Sequence, residues 1–388
     1  MTGKQQPPRY GRSGRPAGGR YPIDHAPIVV ATRNVGPVTT VAAVYGVLPP
    51  HQYPQEQLTE LFAKVCLPEQ YHSLLSRFHD SAKVATRHLA LPLEDYLGLT
   101  DFTAANNAFI DVAVELGTDA VAGALRDAGL DVGDVDVIMS TTVTGIAVPS
   151  LDARIAARLG LRPDVKRIPL MGLGCVAGAA GVARLHDHLR GWPDKVGVLV
   201  SVELCSLTIQ RGDASAANMV ATGLFGDGGA AVVLVGSERA AGVRGPRVVD
   251  TRSHLYPGTE RAMGWDVGST GLKVVLGVEV PELVEKHLGD DVRGLLATHD
   301  LTIEDVDVWV SHPGGPKVIE AIQSELGLLD GQLDLTWRSL ERVGNLSSAS
   351  VLHVLRDTLE ARDPAPGSWG MLMAMGPGFC SELVLLRW

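Results

Sequence analysis

The sequence predicts an α/β fold made of two duplicated halves related by a pseudo-two-fold axis. Three pairs of matching segments, in the same order in each half, predict it. Leu130-Asp-Val-Gly-Asp-Val-Asp-Val-Ile-Met-Ser140 returns as Leu301-Thr-Ile-Glu-Asp-Val-Asp-Val-Trp-Val-Ser311, with Asp-Val-Asp-Val and the closing serine in register. The small-residue stretch after Cys175 returns at Gly344-Asn-Leu-Ser-Ser-Ala-Ser-Val-Leu-His-Val-Leu355. Leu224-Phe-Gly-Asp-Gly-Gly-Ala-Ala-Val-Val-Leu-Val235 returns as Met375-Gly-Pro-Gly-Phe-Cys-Ser-Glu-Leu-Val-Leu-Leu386. Asp136 and Cys175 stand 39 residues apart, Asp307 and Asn345 38 residues apart, an agreement that chance explains poorly.

The elements follow in order. Residues 1–35 hold six Lys and Arg among many Gly and Pro with no apolar period, and read as a disordered basic tail. Residues 36–237 form the first half and 238–388 the second. Thr39 to Tyr45 reads as a strand; Gln55 to Phe62 and Pro68 to Phe78 read as helices. Phe109 to Ala128 is a long helix, apolar at Val112, Leu116, Ala120, Ala124 and Ala128. A buried strand ends at Ser140, Thr141 to Pro149 is a loop, and Asp152 to Leu159 a helix. Ile168 to Met171 reads as a short buried strand, and a helix opens from Val176. Val196 to Val202 is a core strand, followed by a loop through Thr208 and Arg211. At 224–235 a glycine turn feeds another buried strand.

Composition bounds the function. The chain has 388 residues, 45% hydrophobic and 20% charged, an ordinary globular balance. A net charge of −10 argues against nucleic acid as the main partner. No apolar run reaches the roughly 18 residues that span a bilayer. None of the four cysteines forms a C-x-x-C pair, and no secretory signal is recognisable, so a reducing, cytoplasmic enzyme is expected.

Cys175 sits where a strand ends and a helix begins. Unpaired N–H groups there favour a thiolate, and the small residues around it admit close approach. Most cysteines are simply small buried hydrophobes, so the setting alone does not decide. A dinucleotide fingerprint and a hydrolase nucleophile elbow both need glycine at 177, which is Ala177. The duplication adds partners. Asn345 heads the helix equivalent to that of Cys175, so both face the axis. His312 ends the strand at 306–310, in a loop stiffened by Pro313 and Pro316. Together they make a nucleophile, a base and an amide donor.

With these residues the chain resembles the type III polyketide synthases, the chalcone synthase group of the thiolase-like fold. The motifs are Gly172-Leu-Gly-Cys175, Leu224-Phe-Gly-Asp-Gly228, Ser311-His-Pro-Gly-Gly315, Gly344-Asn-Leu-Ser-Ser348 and Gly376-Pro-Gly378, and coverage runs from about residue 38 to the C-terminus. Val176 to Arg184, Glu203-Leu-Cys-Ser206 and the ending Cys380 to Trp388 resemble actinobacterial enzymes that make long-chain alkylresorcinols or alkylpyrones. The resemblance implies a Cys175 thiolate paired with His312 imidazolium that takes an acyl starter from CoA. Malonyl-CoA, or methylmalonyl-CoA, then loses CO₂ against His312 and Asn345, and the carbanion extends the chain. A single condensation, as in ketoacyl synthases, a tetrahydroxynaphthalene-type synthase fed by malonyl-CoA alone, and a non-catalytic acyl-binding subunit are the alternatives. CoA thioesters are substrates; no metal, other cofactor or carrier protein is implied.

The resemblance also implies substrate-binding residues. Phe225 falls on the gatekeeper between CoA tunnel and cavity. Val274 stands at a second gatekeeper where an aromatic is usual, which would widen the cavity for a long acyl chain. Cys205 and Thr208 would line it, with Gly315, Ser347, Gly376, Pro377 and Gly378 from the motifs. Arg77 matches a basic position of the CoA-contact helix; Ser81 replaces a usual lysine, leaving Lys83 or Arg87 to substitute. Family members are homodimers in which a loop reaches the partner's cavity, and Ala147-Val-Pro149 occupies that place.

Overall fold

The computed structural model describes residues 38–362 and 364–388; the expected tail at 1–35 lies outside them. The first half runs β1 (Thr39–Val47), β2 (His51–Pro54), α1 (Gln55–Cys66), α2 (His72–Ser81), β3 (Thr86–Leu89), α3 (Phe102–Ala128), β4 (Val137–Thr142), α4 (Leu151–Leu159), β5 (Lys166–Met171), α5 (Ala177–Gly191), β6 (Val196–Leu204), α6 (Ala216–Leu224) and β7 (Asp227–Val235). The second runs β8 (Arg247–Leu255), β9 (Met263–Gly268), β10 (Gly271–Leu276), α7 (Val280–Ala297), β11 (Val306–Ser311), α8 (Pro316–Glu325), α9 (Asp334–Val343), α10 (Ser350–Ala361), β12 (Trp369–Gly376) and β13 (Cys380–Arg387).

One nine-stranded mixed sheet has the order β11-β12-β13-β8-β1-β7-β6-β4-β5. Read outward from its centre, β1-β7-β6-β4 mirrors β8-β13-β12-β11, which is the duplication in topological form. The halves meet where β1 pairs antiparallel with β8, Thr40 opposite Arg247. The echo extends to local chemistry. The one-turn 3-10 helices before β4 and β11 carry capping boxes, Asp131 with Asp134 and Thr302 with Asp305.

Strand alternation sorts the core. Val137, Met139, Leu199, Val232 and Leu234 pack on α5 and α10, together with Val308, Leu372, Val384 and Leu386 of the second half. The two equivalent helices thus share one core between the halves. The other strand faces pack under α3, through Phe109, Ala113, Ala120 and Ala124, and under α7, through Val284, Leu288 and Val292. Two small sheets, β2 with β3 and β9 with β10, flank the site.

Four expectations change. Ile168 to Met171 lies in β5, which pairs only with β4 and forms an exposed edge, with Met171 62% exposed. Pro169 lacks an N–H for a further ladder, which suits an edge. Helix α3 starts seven residues before Phe109 because Asp101 caps it, Oδ1 accepting from the Ala104 N–H at 2.9 Å. Ala216–Leu224, where no element was expected, is α6, capped by Ser215. Gly228 and Gly229 belong to β7 rather than to a turn.

Candidate active site

Cys175 and Asn345 are delivered by equivalent turns, and His312 by the end of a strand. After β5, Gly172 (φ 90°) and Gly174 (φ 57°) take left-handed conformations. A Cβ at Gly174 would come within 2.7 Å of the Pro377 ring, so only glycine fits there. Cys175 lies in the one-turn 3-10 helix Gly174–Val176 that leads into α5. In the second half Gly344 (φ 73°) precedes Asn345, and the 3-10 turn Ser347–Ala349 leads into α10. His312 follows β11, its N–H bonded to the Met373 carbonyl of β12 at 3.0 Å.

The three side chains line one cleft with Phe225, Gly314, Met263 and Phe379. They are buried: Cys175 is 6% exposed, His312 5% and Asn345 1%. Asn345 is fixed by its neighbours. Its Oδ1 accepts from the Ser347 N–H at 2.8 Å and the Ser350 hydroxyl at 3.3 Å, which turns Nδ2 toward Gly314. Its backbone bridges to Phe225, binding the amide donor to the gate residue.

The Cys175 thiol donates to the Ser347 hydroxyl at 3.7 Å. Neither ring nitrogen of His312 has a hydrogen-bond partner among the described residues. Burial pushes the thiol up to about 12, with the Ser347 hydrogen bond pulling the other way, and pushes His312 down to about 3. In this geometry the thiol is turned to Ser347 rather than to His312. Burial disfavours each ion alone, so charge separation needs the two side chains within reach of each other.

The remaining sequence-predicted residues divide. Cys205, Phe225, Val274, Ser347 and Pro377 line a lobe that also holds Cys175, and Thr208 lines the adjoining lobe with Cys205, Phe225 and Val274. Gly376 and Gly378 act through the backbone. A Cβ at Gly376 would meet the Val176 nitrogen at 2.7 Å, and Gly378 has φ 130°. Gly315 (φ 141°) starts α8, while its neighbour Gly314 faces the cleft. Arg77 and Lys83 are exposed at the end of α2 and just after it, compatible with an external phosphate. Arg87 is corrected. It is 1% exposed and lines the inner lobe, because β3 alternates and turns Arg87 and Leu89 inward. It does not reach surface phosphates. Val148 of the expected partner-reaching loop stands 90% exposed.

Two neighbours carried no role in the sequence reading. Glu203 ends β6 fully buried, and burial raises its carboxyl. It accepts from Ser348 Oγ at 2.5 Å, Thr144 Oγ1 at 2.8 Å and the Val143 N–H at 3.0 Å, joining the first half to the turn after Asn345. Its signal was a charged residue ending an otherwise apolar strand. Trp265 lies opposite Val274 in the β9–β10 ladder and lines both lobes with it. Only pairing across the hairpin reveals that juxtaposition.

Comparison with known proteins agrees with this geometry. The family model described as chalcone and stilbene synthases, N-terminal domain, matches residues 28–239, and its C-terminal counterpart matches 247–388. A 1,3,6,8-tetrahydroxynaphthalene synthase of Streptomyces peucetius subsp. caesius is 57% identical over 354 residues, covering 90% of this chain and 93% of that protein. A putative chalcone synthase of Bacillus subtilis is 35% identical, covering 88% and 96%. The crystal structure of 1,3,6,8-tetrahydroxynaphthalene synthase from Streptomyces coelicolor A3(2) superposes with a TM-score of 0.85 at 31% identity, covering 90% and 99%.

Proposed function

The chain belongs to the chalcone and stilbene synthase family, the type III polyketide synthases, and on that premise we propose that it builds a naphthalene-type pentaketide from malonyl-CoA alone. The observation that carries the reading is the single cleft holding Cys175, His312 and Asn345 in a chain 57% identical to a tetrahydroxynaphthalene synthase. His312, neutral in the closed site, takes the Cys175 proton as sulfur attacks the thioester carbon and CoA leaves as its thiol. His312 has by then passed that proton to the departing CoA sulfur, and its neutral ring N–H and the Asn345 amide donate to the thioester oxygen of an extending malonyl-CoA. They stabilise the enolate left when CO₂ departs. Its carbon attacks the Cys175 thioester, freeing the thiolate and lengthening the chain by two carbons.

Trp265 across from Val274 supports this over the long-chain reading, since the space an absent aromatic leaves at 274 borders on an indole. The long-chain alkylresorcinol or alkylpyrone reading keeps one observation in its favour, the small side chains of Val274 and Cys205 on the cavity wall. Exposed Val148, and exposed Met171 on the edge strand β5, support a homodimer. Four free thiols, two of them in the cavity, accord with a reducing, cytoplasmic setting.

Mass spectrometry of products decides. Purified protein is given malonyl-CoA alone, then with acyl-CoA starters from acetyl to palmitoyl, with Cys175→Ala as the inactive control. A naphthalene-type product from malonyl-CoA alone is expected. Products only from long starters would replace the proposal with its rival.

A further inference from the structure

Arg87 is a buried cation that the chemistry above leaves unused. Its Nε donates to Gln55 Oε1 at 3.0 Å and Nη1 to the Phe225 carbonyl at 2.8 Å, and the guanidinium lies over the Phe62 ring, 5.5 Å from its centre. Nη2 is buried with no hydrogen-bond partner among the described residues. Asp227, its electrostatic neighbour, is itself occupied, accepting from the Ala90 N–H at 2.6 Å and from the N–H and hydroxyl of Ser206. A guanidinium offers five N–H donors, and those on Nη2 are left without an acceptor in a buried site, an arrangement that folding alone disfavours.

The space beside this group is a narrow lobe walled by Phe62, Ile209, Phe225, Trp265 and Val274. It shares Cys205, Phe225, Trp265 and Val274 with the lobe that holds Cys175. A chain anchored on Cys175 and passing Cys205 and Phe225 therefore arrives at Arg87.

We propose that Arg87 is a specificity-determining residue whose Nη2 donates to a keto or enolate oxygen of the poly-β-keto chain held on Cys175, and that this contact sets how far the chain is extended before release. The inference rests on the polyketide reading and deepens it. A malonyl-derived chain carries an oxygen on every second carbon, and the carbons between ionise readily to enolates. The planar guanidinium matches such paired oxygens, whereas an alkyl segment at the same depth would leave Nη2 unmet. The contact therefore favours chains that are oxygenated along their whole length.

The test is the ratio of truncated to full-length polyketide, measured by mass spectrometry for wild type, Arg87→Gln and Arg87→Lys supplied with malonyl-CoA. Arg87→Gln raises the ratio about tenfold, the worth of one charge-assisted hydrogen bond. Arg87→Lys keeps the charge facing Asp227 without the fork and falls between. An unchanged ratio, with all products falling together, would show that Arg87 only braces β3 against the Phe225 turn. Should the glutamine variant not fold, the lysine variant carries the test: an unshifted ratio overturns the proposal. Failure of the malonyl-only reading shows separately, as absence of a naphthalene product from the wild type. The ratio is then read on the products primed by whichever acyl-CoA the wild type accepts.

Discussion

Gly178→Ala tests whether the pseudo-two-fold axis itself sets the active-site geometry. Gly178 lies in the first turn of α5, three residues after Cys175, where α5 crosses the turn leading into α10. A Cβ there would stand 2.3 Å from the Ser348 carbonyl oxygen and 2.7 Å from Val351 Cγ1. The carbonyl is backbone and cannot swing aside. It must retreat by about 0.7 Å merely to reach the shortest separation that real Cβ atoms show. Overpacking of this kind costs ~3 kcal/mol, and the better helix propensity of alanine returns ~1 kcal/mol. The net loss of ~2 kcal/mol lowers Tm by about 3 °C in a chain this size. Catalysis suffers more. Ser348 adjoins Ser347, which holds the Cys175 thiol, and lies three residues from Asn345. A displacement approaching 1 Å costs on the order of 10- to 100-fold in rate. The assay pairs thermal unfolding with malonyl-CoA turnover, and Gly191→Ala, at the open end of α5, serves as the unstrained control. Wild-type turnover in Gly178→Ala would refute the argument that this crossing holds nucleophile and amide donor in register.

Three further outcomes are expected. In His312→Gln the Cys175 thiol loses the base that accepts its proton during attack, so iodoacetamide alkylation slows at neutral pH; an alkylation profile identical to wild type would remove His312 from the pair. Asn345→Ala slows malonyl-CoA decarboxylation by about 10²–10³-fold while Cys175 is still acylated by starter, as for loss of one oxyanion donor, and equal loss of both steps would contradict the assigned role. Acid unfolding follows from buried histidines. Burial lowers His79 and His312 to about 3, and His186 and His353 to about 4, from an ordinary value of 6.5. Their stabilisation is complete above pH 6.5 and drains as pH falls toward those values, because the unfolded chain binds the protons first. At pH 5 each costs ~2 kcal/mol, and four together rival the whole stability of a typical domain. Asp227, raised to about 6 by burial, acts with the opposite sign and returns a part. Circular dichroism should show cooperative unfolding near pH 5, with the midpoint lowered by roughly a few tenths of a unit in His353→Gln; an unmoved midpoint would exclude this cause.

Local patterns read well where one property suffices. The Asp-Val-Asp-Val echo located β4 and β11, and the small-residue run after Cys175 located α5. They read badly where a cap or a neighbour decides. Asp101 started α3 earlier than apolar spacing showed, Ser215 capped a helix that spacing did not show, and β5 looked buried because apolar content does not say whether a strand has one neighbour or two.

The sequence by itself determined the duplicated α/β plan and singled out Cys175, His312 and Asn345 as candidates, because repetition and glycine-bounded turns are properties of the chain read along its length. Tertiary structure alone decided that these three share one cleft, that Trp265 faces Val274, that Glu203 ties the two halves together, and that Arg87 points inward with a donor unmet. Those facts depend on which strands pair and which faces meet, and a buried charge is distinguished from a surface one only by what surrounds it.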